Sequence, residues 1–330
     1  MIPLSVLDLV PIREGGSLSE SLEEAGKLAA TAEQAGYKRF WVAEHHAIVG
    51  VAGGAASVVI SHIGHCTSTI RIGAGGIMLP NHNPFVIAEQ FGTLDGLFPG
   101  RVDLGLGRAP GASGIIAQAL RKDLNRAAEY FPQDVVELRA LLTGDIDLPI
   151  TATPGLGARV ELWMLGSSLF GAQLAARLGL PYAFASHFAP DHLDAALAAY
   201  RAQFRPSAAL NKPHTMAAMT VICADSDEEA ELLATSQDQS FVRLRSGDPG
   251  KLPPPIPGYR DALPLTTKAM LEHLGQARAV GSPETVASRI GAFIERTQAD
   301  EIIVSGATYD PAARRRSLEL TMKALGKAVS

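Results

Sequence analysis

The chain has 330 residues, 47% hydrophobic and 19% charged, with a formal net charge of −5 and a pI near 6.0. That is ample apolar material for a core, and the acidic balance gives no support for a nucleic-acid or anionic-membrane partner, both of which favour basic patches. Two cysteines, Cys66 and Cys223, lie far apart without a partner motif, which fits a reducing compartment and argues against a disulfide framework.

Met1-Ile2-Pro3-Leu4 enters an apolar run with no basic region or cleavage site, and no apolar run approaches the roughly 18–20 residues of a membrane span. The expectation is a soluble, cytoplasmic protein. Leu4 to Val10 reads as strand one and Leu18 to Ala35 as a helix stopped by Gly36. Arg39 to Ala43 is strand two, and Ala55 to Cys66 a helix. Ile70 to Leu79 is strand three, followed by a helix from Phe85 to Leu97 that Pro99-Gly100 closes. Val102 to Gly107 is strand four. The segment Ala109 to Pro132 interrupts the rhythm before a helix from Gln133 to Leu142. Glu161 to Leu165, Tyr182 to Ser186 and Met216 to Cys223 are strands five to seven. They are followed by helices over Leu169 to Leu178, over Asp191 to Phe204, and from the cap Ser226. Gly247 to Pro264, with Pro253-Pro254-Pro255, reads as irregular. Thr285 to Arg296 is a helix, Glu301 to Val304 strand eight, and Pro311 to Leu325 the last helix.

Eight strands alternating with helices predict parallel βαβ units and a closed (β/α)8 TIM barrel, with a doubly wound open sheet as the alternative. Residues 1–330 form a single domain in this reading, with insertions at about 109–132 and 247–264 on the carboxyl-terminal mouth. The proline-rich piece is a candidate lid.

Function in such a barrel gathers where strands end. Trp41-Val42-Ala43 ends in Glu44-His45-His46. Burying a carboxylate and two imidazoles there is costly unless something polar or ionic meets them. Neighbouring strand residues point to opposite sides, so one histidine faces the mouth while the other braces it. Later strand ends add Gly75-Gly76, Asn81-His82-Asn83, Arg108, Ser167-Ser168 and Ser186-His187, where His82 or His187 alone reads as a loop hydrogen-bonder. Glu and two His also suit zinc or iron, but no His-x-x-x-His or facial-triad spacing completes a set, and no metal is assigned. Glycines in Gly73-Ala74-Gly75-Gly76 mark close approach by a ligand or another backbone, or crowding inside the barrel. Gly105-Leu106-Gly107-Arg108-Ala109-Pro110-Gly111 lacks the dinucleotide spacing. Ser167-Ser168 at a helix start reads equally as a cap or an anion site. Arg108 adds a guanidinium able to clamp phosphate, so a phosphorylated ligand is expected between strands four and five.

Several of these blocks occur together in a known pattern: Ala43-Glu44-His45-His46, Gly75-Gly76-Ile77-Met78-Leu79-Pro80-Asn81-His82, Ala88-Glu89-Gln90-Phe91-Gly92-Thr93-Leu94-Asp95, and Pro99-Gly100-Arg101-Val102-Asp103-Leu104-Gly105-Leu106-Gly107-Arg108-Ala109-Pro110-Gly111. With Leu165-Gly166-Ser167-Ser168 and Val280-Gly281-Ser282-Pro283-Glu284, they resemble the bacterial luciferase-like flavin-dependent monooxygenases, in their single-chain alkanal-monooxygenase-like branch. The resemblance runs from residue 3 to residue 325. It implies a TIM barrel that takes reduced FMN from a separate NAD(P)H:flavin reductase. It further implies addition of O2 at the flavin C4a, oxygenation of a small organic substrate, and a homodimer formed through helices such as the one holding Ala55-Ala56-Ser57-Val58-Val59-Ile60. By position it makes His45 the acid/base, with Glu44 and His46 its catalytic neighbours. Glu44, Gly75 and Gly76 stand against the flavin, the two glycines at a non-prolyl cis peptide, and Arg108, Ser167 and Ser168 hold its phosphate. Gly107 stands where the light-emitting subunit has a reactive cysteine, and Gly171 where a threonine grips phosphate, which speaks against light emission and tight flavin retention. An F420-dependent dehydrogenase, a non-catalytic flavin-binding protein and a metal-dependent hydrolase are the alternatives.

Overall fold

Strand pairing closes on itself. In the computed structural model, which describes residues 2–108, 118–120 and 123–327, the chain begins β1 (Leu4–Asp8), α1 (Leu18–Ala35), β2 (Arg39–Val42), α2 (Ala56–Cys66), β3 (Arg71–Met78), α3 (Pro84–Leu97) and β4 (Val102–Gly107). It continues α4 (Leu124–Thr143), β5 (Glu161–Gly166), α5 (Leu169–Leu178), β6 (Tyr182–Phe184), α6 (Leu193–Gln203), β7 (Thr215–Cys223), α7 (Asp227–Arg245), α8 (Leu265–Leu274), β8 (Arg278–Gly281), α9 (Pro283–Thr297), β9 (Glu301–Ser305) and α10 (Pro311–Lys327). Pairings run β1 to β7 in order, then β7 to β9 and β9 back to β1, all parallel. This is the closed (β/α)8 barrel. The remaining strand, β8, adds to the far half of β7 (Thr220–Cys223) and takes no part in closure.

Local chemistry places the helices. Ser17 and Glu20 make a reciprocal capping box at the start of α1, and Gly36 ends it at φ 89°. Ser282 caps α9 with Pro283 in its first turn. Along each strand alternate residues face opposite ways. Phe40 and Val42 pack outward under the helices, whereas Leu7, Trp41, Trp163, Ala183, Met216 and Ile303 fill the barrel.

Below that layer, at the amino ends of the strands, lies a charged floor. Arg39 bonds Asp103 at 2.8 Å and Glu301 at 3.0 Å, Arg71 bonds Asp103, and Trp41 donates to Asp103 at 2.9 Å. The Arg39 guanidinium also lies 4.7 Å from the Trp163 ring. Burial opposes ionisation of Glu301, but His214, Arg39, Lys38 and Ser5 outweigh it and hold the carboxyl at about 2.

Three expectations need correction. Glu301–Ser305 is the ninth strand, because Arg278–Gly281 precedes it. Four residues are too few to show alternation, and they pair only with β7 outside the closed ring. The helix expected from Gln133 begins at Leu124 and carries Pro132 inside it, so the end of the 109–132 insertion is helical; a proline removes only its own backbone bond and need not end a helix that packing holds. Residues 109–117 and 121–122 of that insertion lie outside the described residues. The 247–264 segment does reach the mouth, but it is fastened there. Leu252 exchanges backbone bonds with Ile12 and Glu14 at 2.8 Å, Gln239 holds the Pro254 carbonyl at 2.9 Å, and Arg260 holds Asp238 at 2.8 Å. It forms a wall. Among the described residues, no helix is long and apolar enough to cross a membrane.

Candidate active site at the barrel mouth

Inward parity along β2 runs Arg39, Trp41, Ala43 and, just past the strand, His45. The structure follows it. His45, half-buried, lines a cleft at the mouth, and its buried Nδ1 has no hydrogen-bond partner among the described residues. Burial pushes its pKa down, outweighing the pull of Glu44, so the imidazole is neutral at physiological pH.

Glu44 points the other way and is almost wholly enclosed. Its Oε1 meets His46 Nε2 in a very short contact and His82 Nε2 at 2.7 Å, while Oε2 accepts from the Met78 amide at 3.0 Å. Burial favours the neutral acid, but His82, the Met78 N–H and His46 outweigh it and keep the carboxyl ionised. Thus His46 is the brace and His45 the residue that faces the mouth. The three donor atoms of Glu44, His46 and His82 lie within 4.8 Å of one another, a set a divalent cation could share. They already satisfy each other by hydrogen bonds.

Between β2 and β4 the strand β3 carries a cis peptide at Gly75-Gly76, at the point where its register against β4 shifts. A Cβ on Gly75 would lie 2.8 Å from Leu7 and 2.9 Å from Trp41, and one on Gly76 would lie 2.5 Å from the Gly105 carbonyl. Crowding inside the barrel is therefore reason enough for both glycines.

On the β4–β5 side, the Arg108 guanidinium stacks 4.1 Å from the Phe170 ring centroid, beside the first turn of α5. It has no acidic partner among the described residues. The Ser168 side chain makes no capping bond, α5 has no acid in its first turn, and Ser167 is exposed. A guanidinium, two hydroxyls and uncapped amides thus meet at one helix start, a combination that favours an anion.

Two residues that looked bland in sequence belong to the mouth. His82 shares the Glu44 carboxylate. His187 lines the same cleft as His45, its Nδ1 buried and unpartnered, and burial together with the neighbouring His45 lowers it to about 4. Parity was the available signal for His187, which continues Ala183 and Ala185 past β6 as His45 continues Trp41 and Ala43. No spacing rule marked His82, which reaches Glu44 from a different strand end.

The chain matches the family model described as luciferase-like monooxygenase over residues 2–301. It is 47% identical to a luciferase-like monooxygenase of Escherichia coli (strain K12) over 97% of this chain and 96% of that one. Among solved structures, apo-MsnO8 superposes with a TM-score of 0.89 at 34% identity, covering 99% of both chains. The fold alone is shared, at 19% identity and a TM-score of 0.71, with the FMN-bound oxygenating constituent of 3,6-diketocamphane monooxygenase of Pseudomonas putida, over 98% of this chain and 97% of that one. It is likewise shared, at 14% identity and a TM-score of 0.71, with an F420-dependent secondary alcohol dehydrogenase holding an F420–acetone adduct, over 98% of this chain and 99% of that one.

Proposed function

The chain belongs to the luciferase-like monooxygenase family, and from that premise we propose that it uses reduced FMN and O2 to oxygenate a small organic substrate, with flavin reduced by a separate NAD(P)H:flavin reductase. The observation that carries the cofactor reading is the anion-binding corner of Arg108, Ser167 and Ser168 at the uncapped start of α5. An FMN phosphate fits that donor set, which offers a guanidinium and neutral donors with no competing carboxylate. The resemblance also sets Gly75 and Gly76 against the flavin ring, while the space a Cβ would take at either is filled by Leu7, Trp41 and the Gly105 carbonyl.

Bound flavin would supply the electrons and activate oxygen; the protein supplies position and dryness. His45, neutral and with a free Nδ1, is able to accept or return one proton at that atom within the enclosed cleft. Glu44 fixes His46, His82 and the Met78 amide, and so sets the shape of the wall from which His45 projects. The exposed Val58 on α2 supports a homodimer through that helix.

Anaerobic titration with reduced FMN, and separately with reduced F420, followed by admission of oxygen, tests the reading. The expected result is saturable uptake of FMN and oxygen consumption that depends on it. Uptake of F420 with oxygen-independent hydride transfer would replace the monooxygenase with a dehydrogenase.

A further inference from the structure

The cleft that His45 enters is bounded by β1, β2, the loop after β6, α7 and the fastened 247–264 segment, and encloses about 970 Å³ including the solvent at its opening. Apolar side chains dominate its lining, among them Ile48, Val51, Phe188, Phe241, Leu244 and Leu252. Three polar atoms in it are buried and unpartnered: Nδ1 of His45, Nδ1 of His187 and Oγ of Ser240 on α7. Native interiors rarely leave such atoms unsatisfied, so three converging on one cleft call for a partner from outside the chain. Among the described residues the one charged lining residue is neutralised internally, since Arg314 is bonded to Asp8 and to the Gly306 carbonyl at 2.8 Å each. Gln237 is likewise occupied, accepting from the Ala307 amide at 2.8 Å.

We propose that this cleft is the substrate compartment, that it selects uncharged and mainly apolar molecules carrying one hydrogen-bonding oxygen, and that His187 and Ser240 are the positioning residues that hold that oxygen opposite His45. The inference rests on the reading of the mouth as the reaction site and adds the substrate class. Among the described lining residues a carboxylate or ammonium finds no free counter-charge, the exposed Arg245 that stacks 5.0 Å from the Phe188 and Phe241 ring centroids standing outside the lining, and desolvating it is far more costly than desolvating a hydroxyl or carbonyl. His187 is held for the task. Ser186 anchors the turn by donating to the Ala218 carbonyl at 2.5 Å, and the Phe188 and Ala189 amides close it on the Ala185 carbonyl at 3.1 Å each.

Calorimetric titration of the flavin-free full chain with octanol, octanoate and octylammonium tests the proposal without turnover, and therefore independently of FMN uptake. Octanol should bind at least about tenfold more tightly than either charged analogue. His187→Phe, which keeps the ring volume but removes both nitrogens, should weaken octanol by about three- to tenfold, the loss of one hydrogen bond, with unchanged melting. His187→Gln should restore most of the affinity, and Ser240→Ala should weaken it less than His187→Phe. Equal binding of octanoate, or octanol affinity untouched by His187→Phe, overturns the proposal. Failure to take up FMN while octanol binds as described would sink the flavin reading and leave the compartment standing.

Discussion

At the amino-terminal end of the barrel, every strong charge has an opposite within hydrogen-bond reach: Arg39 with Asp103 and Glu301, Arg71 with Asp103, Arg39 also over Trp163. At the carboxyl-terminal end, β2 and β6 deliver His45 and His187 to a cleft where their Nδ1 atoms find no partner among the described residues. The floor's ion pairs close within the chain, whereas in the cleft at the mouth these two nitrogens have no partner among the described residues. Satisfaction of buried polar groups stabilises a fold, while groups left open at a strand end are held ready for a ligand at some cost in stability.

The largest effect that sharpens this contrast is Arg39→Ala. It takes the shared guanidinium from Asp103 and Glu301, leaving them Arg71 with Trp41 and Lys38 with Ser5, and should cost about 3 kcal/mol in denaturant unfolding. A cost under about 1 kcal/mol would erase the distinction between the two ends. Acid gives the next effect. Glu301, depressed from 4.5 to about 2, contributes stability that is full above its unfolded value and lost as pH falls through about 2, in all about 3 kcal/mol. His187 is also depressed, so its contribution is full above 6.5 and fades as pH falls toward about 4. The mouth should therefore fail first on acidification. The chain's two tryptophans, Trp41 and Trp163, both stand over the floor, so ligand affinity should drop as pH falls through about 4 while tryptophan emission holds until lower pH. Simultaneous loss would mean the ends are not separable.

Gly50→Ala comes third. Its Cβ would lie 2.1 Å from the Gly250 carbonyl oxygen, so the wall must shift, costing about 1–3 kcal/mol and loosening octanol in the calorimetric assay. Smallest in stability is His45→Ala. Removing a half-buried imidazole with a buried, unpartnered nitrogen should leave the unfolding free energy unchanged or raised by up to about 1 kcal/mol. With FMN, reductase and substrate present, the same variant should release more hydrogen peroxide per oxygen consumed. Unchanged coupling would remove His45 from the chemistry.

Most of this architecture is legible from spacing. Gly36, Gly179 and the cap Ser226 mark helix ends where the structure has them, and the Glu44-His45-His46 cluster falls at the mouth as the strand reading requires. What spacing could not give is contact between distant strand ends. The union of Glu44 with His82 depends on the pairing of β2 with β3, and that of His45 with His187 on barrel closure bringing the ends of β2 and β6 to one rim. Nor does spacing reveal β8, whose four residues Arg278–Gly281 pair outside the barrel. The fastening of the 247–264 wall was hidden for a further reason: apart from the Arg260–Asp238 pair, the bonds described for it go to backbone carbonyls and amides, which carry no side-chain signature.

The seam between β1 and β9 has a consequence for biosynthesis. Leu4, Ser5 and Val6 wait for Ile302, Ile303 and Val304, and until those arrive β1 has one neighbour and Glu301 cannot reach Arg39. The nascent chain must therefore carry an open sheet from the synthesis of β1 until β9 follows it. Contacts of such long sequence separation form slowly, and unpaired strand edges invite aggregation. Yield in a cell should consequently depend on whatever shields that gap until β9 arrives.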